Sequence, residues 1–142
     1  GNTPEVVQPE RLRHELACLP TNAEIYGDSV VLEDSHSNLG YWQSENDHVV
    51  WTADVPEATE YVVFLEWACD DAVAGNTCAI EVGDQRVTVQ VEGTGDWNQY
   101  RREVVGRVKL DAGRHRIGIR AVGRINGFLF DFKSLTLRPT SS

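Results

Sequence analysis

VVWTADVPEATEYVVFLEW, residues 49–67, decides the fold. Its first half alternates. Val49, Trp51, Ala53 and Val55 fall on one face, and Val50, Thr52 and Asp54 on the other, the period of a half-buried strand. Pro56 then ends the run, because proline cannot donate to a strand ladder. The second half, YVVFLEW (61–67), is apolar on both faces, as a central strand of a sandwich is.

Outward from this pair the same grammar repeats. CAIEV (78–82), the tight turn GDQ (83–85) and VTVQV (87–91) read as a β-hairpin. REVVGRVKL (102–110) runs to an Asp111-Ala112-Gly113 turn. HRIGIRA (115–121) alternates, with Ile117 and Ile119 inward and Arg116 and Arg120 outward. GFLFDFKSLTL (127–137) is expected as the last strand. Strands recur every 8–14 residues with turn residues between them, and no helical pattern alternates with them. The expected fold class is all-β, an antiparallel jelly-roll β-sandwich. The first twenty residues differ: PERLRHELACL places Leu12, Leu16 and Leu19 at helical spacing, so a short helix or turn ending at Pro20 is expected. The expected organisation is a linker or short helix over 1–20, the sandwich over 21–138 and a tail over 139–142.

The chain has 142 residues, enough for one domain with one core. Its net charge of −9 argues against a nucleic-acid partner, which calls for a basic face. Charge is uneven: residues 1–71 hold 15 acidic and 2 basic residues, residues 72–142 hold 7 and 11. Two layers facing each other would make these halves complementary. Nothing approaches the roughly 20 apolar residues of a membrane span. The chain opens on Gly1 without an initiating methionine, so it is expected to be part of a longer protein whose targeting segment lies elsewhere.

Cys69 and Cys78 flank the loop DDAVAGNT, where a cross-strand disulfide is sterically reasonable and two buried thiols are the alternative. A disulfide would imply an oxidising compartment. Cys18 is the odd cysteine. There is no GxSxG, HExxH or phosphate loop, and His14, His36, His48 and His115 are scattered. No enzyme activity is expected.

The order of motifs carries a resemblance. Ala23-Glu24 opens a strand; a Gly40-Tyr41-Trp42 turn and Asp47 precede VVWTADVPEATEYVVFLEWA; TGDW (94–97), VKLDAGRHRIGI (108–119) and an apolar strand holding Asp131 follow. Over about residues 20–138 this resembles the family 6 and family 35 group of carbohydrate-binding modules, with a galactose-binding-like jelly roll. It looks closer still to the modules appended to bacterial sulfatases, fucosidases and multidomain cytochromes.

The resemblance implies a non-catalytic module that targets a larger secreted or periplasmic protein to polysaccharide or oligosaccharide. It implies a site on loops at one end of the sandwich, where two aromatic rings clasp a sugar: Trp97, with Tyr41 or Trp42. Aromatic rings cover the C–H face of a pyranose and polar side chains meet its hydroxyl rim. Asn98, Gln99, Glu33, Asp34 and Asn126 are the polar candidates. Leu129 stands where family 6 modules usually carry a ligand-binding Asn, with Asn126 to substitute for it. Arg101 and Arg102, after the Trp97 loop, would suit an acidic glycan. The resemblance further implies a structural Ca²⁺ held by Asn22, Glu24 and Asp131, since calcium takes several oxygen ligands. Other domains of the parent protein are expected partners. The alternative function is a structural or protein–protein interaction sandwich that binds no sugar.

Overall fold

The computed structural model describes residues 2–140, so the last two residues of the expected tail lie outside it. Eleven strands form two antiparallel sheets. They are β1 (Leu16–Cys18), β2 (Glu24–Tyr26), β3 (Val31–Glu33), β4 (Asn38–Gly40), β5 (His48–Val55), β6 (Thr59–Ala68), β7 (Thr77–Val82), β8 (Gln85–Gln90), β9 (Arg101–Leu110), β10 (Gly113–Ala121) and β11 (Asp131–Pro139). One sheet runs β2-β5-β10-β7-β8. The other runs β3-β4-β11-β6-β9, with β1 also paired to β11. The molecule is a jelly-roll β-sandwich.

The deciding stretch folds as two strands, as read. β5 and β6 are consecutive but lie in opposite sheets, because Pro56 turns the chain from one layer to the other. Val49, Trp51, Ala53 and Val55 are all buried, and so are Tyr61, Val63, Leu65 and Trp67. Ile117 and Ile119 of β10 are buried beside Trp51 and Val49, their partners in the β5–β10 ladder. Polar atoms carried into this core find partners. Trp51 donates its indole N–H to the Leu19 carbonyl at 2.9 Å, Tyr61 its hydroxyl to the Glu57 carbonyl at 2.9 Å, and Trp67 its indole to the Glu92 carbonyl at 2.9 Å.

Among the described residues, the N-terminal segment forms no α-helix. The Glu10 carboxylate accepts the backbone N–H groups of Leu12 and Arg13 and closes a turn, which His14 leaves at φ 58°. The next residues switch to a period of two: Leu16 and Cys18 are buried, Ala17 is exposed, and Leu16 pairs with Leu137. Leu12, on the expected helical stripe, is 81% exposed. The free edge of β11 offered a ladder and a core slot, and tertiary pairing overrode helical spacing. Val7 is also buried and bonds to β5 on both sides of Ala53, so this segment packs on the sandwich.

The last strand starts at Asp131, four residues later than expected, and a bulge between Phe132 and Ser134 re-aims its side chains. Charge complementarity between the halves is visible on the surface. Arg116 pairs with Glu24, Arg114 with Asp54, Arg107 with Glu60 and Arg138 with Glu15. Such exposed pairs are each worth little, about 0–1 kcal/mol.

Cys69 and Cys78 do not form the cross-strand disulfide; all three cysteines are buried free thiols. Cys69 follows β6 and Cys78 lies in β7, strands of opposite sheets, so they are not ladder neighbours. Burial pushes the Cys69 thiol up to about 11, helped by Asp70, Asp71 and Asp131, and Cys78 to about 12. Raised, covered thiols react slowly. A thiol reagent is expected to label none of the three in the native chain and all three after denaturation. Two unreactive sulfurs in the denatured, unreduced chain would contradict this.

Candidate functional site

Three loops converge at one end of the sandwich. Gly40 ends β4, and Tyr41 follows at φ 58°, a left-handed conformation unusual for a residue with a Cβ. This kink sends two neighbouring rings to opposite fates. Tyr41 is 57% exposed, whereas Trp42 is fully buried, edge-on to Phe130 at 5.5 Å, with its indole donating to the Asp47 carbonyl. Trp42 is therefore a core residue and leaves the aromatic clasp to Tyr41. Asp47 fixes the kink. Burial pushes its carboxyl up, but hydrogen bonds from Ser29 and Ser44 outweigh this and hold it below the usual range. It also accepts the N–H groups of Asp28 and Gln43.

The TGDW loop is stapled to the segment after β6. Thr94 N–H donates to the Cys69 carbonyl, Cys69 N–H to Thr94 Oγ1, and Gly95 N–H to Asp71 Oδ1, at 2.9, 2.9 and 3.0 Å. The Asp96 carboxylate accepts the Asn98 N–H at 2.8 Å. Gly95, at φ 104°, permits the reversal that lifts Trp97 away from the sheet. The third loop precedes β11 and is held by Asn76. Its carboxamide donates to the Asn126 and Phe128 carbonyls and accepts the Asn126 N–H.

Together the loops enclose a cleft of about 490 Å³. Tyr41 and Trp97 are its walls, and both stand edge-on to Phe128, at 6.4 Å and 72° and at 5.9 Å and 85°. Phe128 is thus the ring that both walls touch. Tyr100 adds a fourth ring, and Glu33, His36, Asn38, Asn98, Asp131 and Lys133 complete the lining. Such a set, aromatic surface with a few convergent polar groups, is the usual make-up of a ligand site.

The polar groups are arranged over Gly40. A Cβ there would lie 2.0 Å from Glu33 Oε1 and 3.1 Å from Asp131 Oδ1, so both carboxylates use the space a side chain would fill. Asn38 donates its Nδ2 to Glu33 Oε1 at 2.8 Å. Its Oδ1 is buried and has no partner among the described residues. Lys133 donates to the His36 carbonyl at 2.7 Å and sits 5.6 Å from the Tyr100 ring centre.

Burial first, then the Glu33 carboxylate, pushes the Asp131 carboxyl up from 3.8 to about 6, against the pull of His36. The folded chain thus keeps a proton that the unfolded chain releases. The stability tied to this group is full below about pH 4 and is lost as pH rises through about 6. Asp131→Asn removes the charge at the same shape. It is expected to raise Tm at pH 7 by a few degrees, about 1 kcal/mol after screening at this half-exposed site. The gain should vanish near pH 4. Equal melting at pH 7 would contradict this.

Tyr41, Trp97, Asn98 and Glu33 thus come together, and Asp131 joins them in the cleft. Trp42 and Asn126 do not line it, nor do Gln99 and Asp34. Leu129 is fully buried, and its N–H donates to the Trp42 carbonyl at 2.8 Å. Arg101 and Arg102 stack over Trp67 and Phe64 of β6 and do not line the cleft.

The calcium set is not assembled. Asn22 spends its carboxamide on Leu19 N–H and the Ala17 carbonyl. Glu24, on the opposite sheet from Asp131, holds Arg116 and the Tyr26 hydroxyl. A carboxylate committed to a guanidinium is a poor calcium ligand, and these three residues do not fit the ion. Among the described residues no group of three or more His, Cys, Asp or Glu side chains is placed to hold a metal.

His36, Asn38, Tyr100, Phe128 and Lys133 were not singled out from the sequence. They flank residues that were, by one to three positions, and the β3–β4 register of Glu33 with Asn38 would have exposed one of them.

No protein-family model and no curated protein sequence matches the chain. Solved structures do. A family 35 carbohydrate-binding module from Clostridium thermocellum is similar with a TM-score of 0.73 at 18% identity, over 90% of this chain and 98% of that one. A GH26-CBM35 β-(1,4)-mannanase from Podospora anserina matches at 0.66 and 14%, over 90% of this chain and 28% of that one. A CBM35 in complex with a glucuronic acid containing disaccharide matches at 0.69 and 15%, over 85% and 91%. The fold of this chain is the two-sheet fold of the family 35 carbohydrate-binding modules.

Proposed function

We propose that the chain is a non-catalytic carbohydrate-binding module and that the cleft between Tyr41 and Trp97 holds a sugar ring. The observation that carries this is the pair of walls: two rings presented from separate loops, both set against Phe128, above a polar floor. A pyranose offers C–H faces to rings and hydroxyls to side chains, so one cleft serves both. The loops are stapled by hydrogen bonds, which lowers the ordering cost of binding. Affinity is expected between about millimolar and micromolar, because each hydroxyl leaves good bonds with water.

A hydrolytic role is not favoured. Glycosidases set two carboxyl groups on either side of the bond they cleave. Here Glu33 and Asp131 rise together over one glycine.

We place the module in a larger secreted or periplasmic protein that it keeps near polysaccharide, where the gain is local concentration. The mannanase above supports this by analogy, since its module is part of a longer chain. Affinity electrophoresis against a broad panel of soluble polysaccharides tests the function. Retardation by at least one glycan is expected. Unretarded migration on every gel would return the domain to a purely structural or protein-binding role.

A further inference from the structure

The floor of the cleft is rich in acceptors and poor in donors. Glu33 and Asp131 bring their carboxyl groups together over Gly40. Asn38, 1% exposed, lines the cleft beside them, and its Oδ1 has no hydrogen-bond partner. Its amide orientation is fixed chemically, since a carboxylate only accepts and the Nδ2 must face Glu33. A buried acceptor without a donor is costly, typically about 1–3 kcal/mol, and native proteins keep few of them. A bound ligand that supplies N–H donors and a positive charge here would relieve the crowding of the two carboxyl groups, and the unpaired Asn38 oxygen beside them marks a floor with no donor of its own to spare.

We propose that the cleft selects a glycan bearing a protonated amine, a 2-amino-2-deoxy sugar with a free ammonium. The inference rests on the glycan-binding reading above. An ammonium presents three donors from one atom and the charge that two carboxylates lack. Rings flank the same space, and Tyr41, Trp97, Phe128 and Tyr100 give a cation an aromatic surround. The cleft's own ammonium does not fill the role: Lys133 is held by the His36 carbonyl against Tyr100, and no ion pair joins it to either carboxylate among the described residues. The chain's net charge of −9 favours a cationic polymer over a polyanion.

Calorimetric titration of the intact chain with four oligosaccharides tests this. They are a β-1,4 glucosamine oligomer below its amine pKa, its N-acetylated counterpart, a neutral glucan and a uronic acid oligomer, each with calcium and with chelator. The glucosamine oligomer is expected to bind at least about tenfold tighter than the N-acetylated one. Glu33→Gln and Asp131→Asn should each bring the ratio of the two affinities down to within about threefold of one, whatever either change does to glycan binding as a whole. Melting curves verify that both variants fold, and the ligand ranking itself needs only the unaltered chain. Equal or tighter binding of the N-acetylated or neutral oligomer overturns the amine preference and leaves the glycan-binding reading standing. Calcium-dependent binding of the uronic acid oligomer, lost with chelator, overturns it in favour of a metal-recruiting floor. Binding of none of the four, with no retention across the wider panel, overturns both readings.

Discussion

Trp42→Ala is expected to destabilise the chain by about 3–5 kcal/mol, the usual loss for removing a fully buried tryptophan. The side chain has no solvent exposure, packs edge-on against Phe130 and ties its indole to the Asp47 carbonyl. Its removal opens a cavity beneath the β4–β5 loop and leaves that carbonyl without its indole donor. Tyr41→Ala, one residue earlier, is expected to change stability by no more than about 0.5 kcal/mol, as exposed positions do. It should instead weaken glycan binding by roughly tenfold or more. Urea unfolding of the two variants measures the difference. Comparable losses of stability would mean that Tyr41 is structural and that the kink at φ 58° does not separate the two roles.

Trp97→Ala carries the largest expected effect on binding. A ring that covers a sugar face supplies much of the contact in a shallow site. Its loss is expected to weaken binding by about 2–3 kcal/mol, roughly a hundredfold. From a starting point between millimolar and micromolar, retention on affinity gels should disappear. Stability should fall by less than about 1 kcal/mol, because the loop is held by Thr94, Gly95 and Asp96 through backbone bonds and not by the ring. Undiminished retention, with the melting temperature preserved, would place the sugar elsewhere on the molecule.

The strands were legible because alternation is a local property. Val49, Trp51, Ala53 and Val55 needed only a period of two and a proline to be read as one buried face, and Ile117 and Ile119 likewise. Trp97 was legible for the opposite reason, as a large ring in a polar turn with no alternation to claim it. The illegible parts depend on contacts distant in sequence. Leu12, Leu16 and Leu19 carry helical spacing, but the edge of β11, more than a hundred residues away, claims Leu16 for a strand. The choice between Tyr41 and Trp42 rests on one backbone angle. Asp131 was read as a metal ligand from the resemblance; the start of β11 and the space over Gly40 instead bring it beside Glu33. Asn38 and Phe128 carry no signal alone and become site residues only when three loops meet.

The central claim is that one cleft, walled by Tyr41 and Trp97, receives the sugar. The four tryptophans report on it separately. Trp42, Trp51 and Trp67 donate their indole N–H groups to the carbonyls of Asp47, Leu19 and Glu92 inside the fold, while Trp97 faces the cleft. In a proton–nitrogen correlation spectrum, titration with a glycan that the gels retain should move the Trp97 indole resonance saturably and leave the other three in place. A Trp97 resonance that stays fixed while binding saturates would contradict the account.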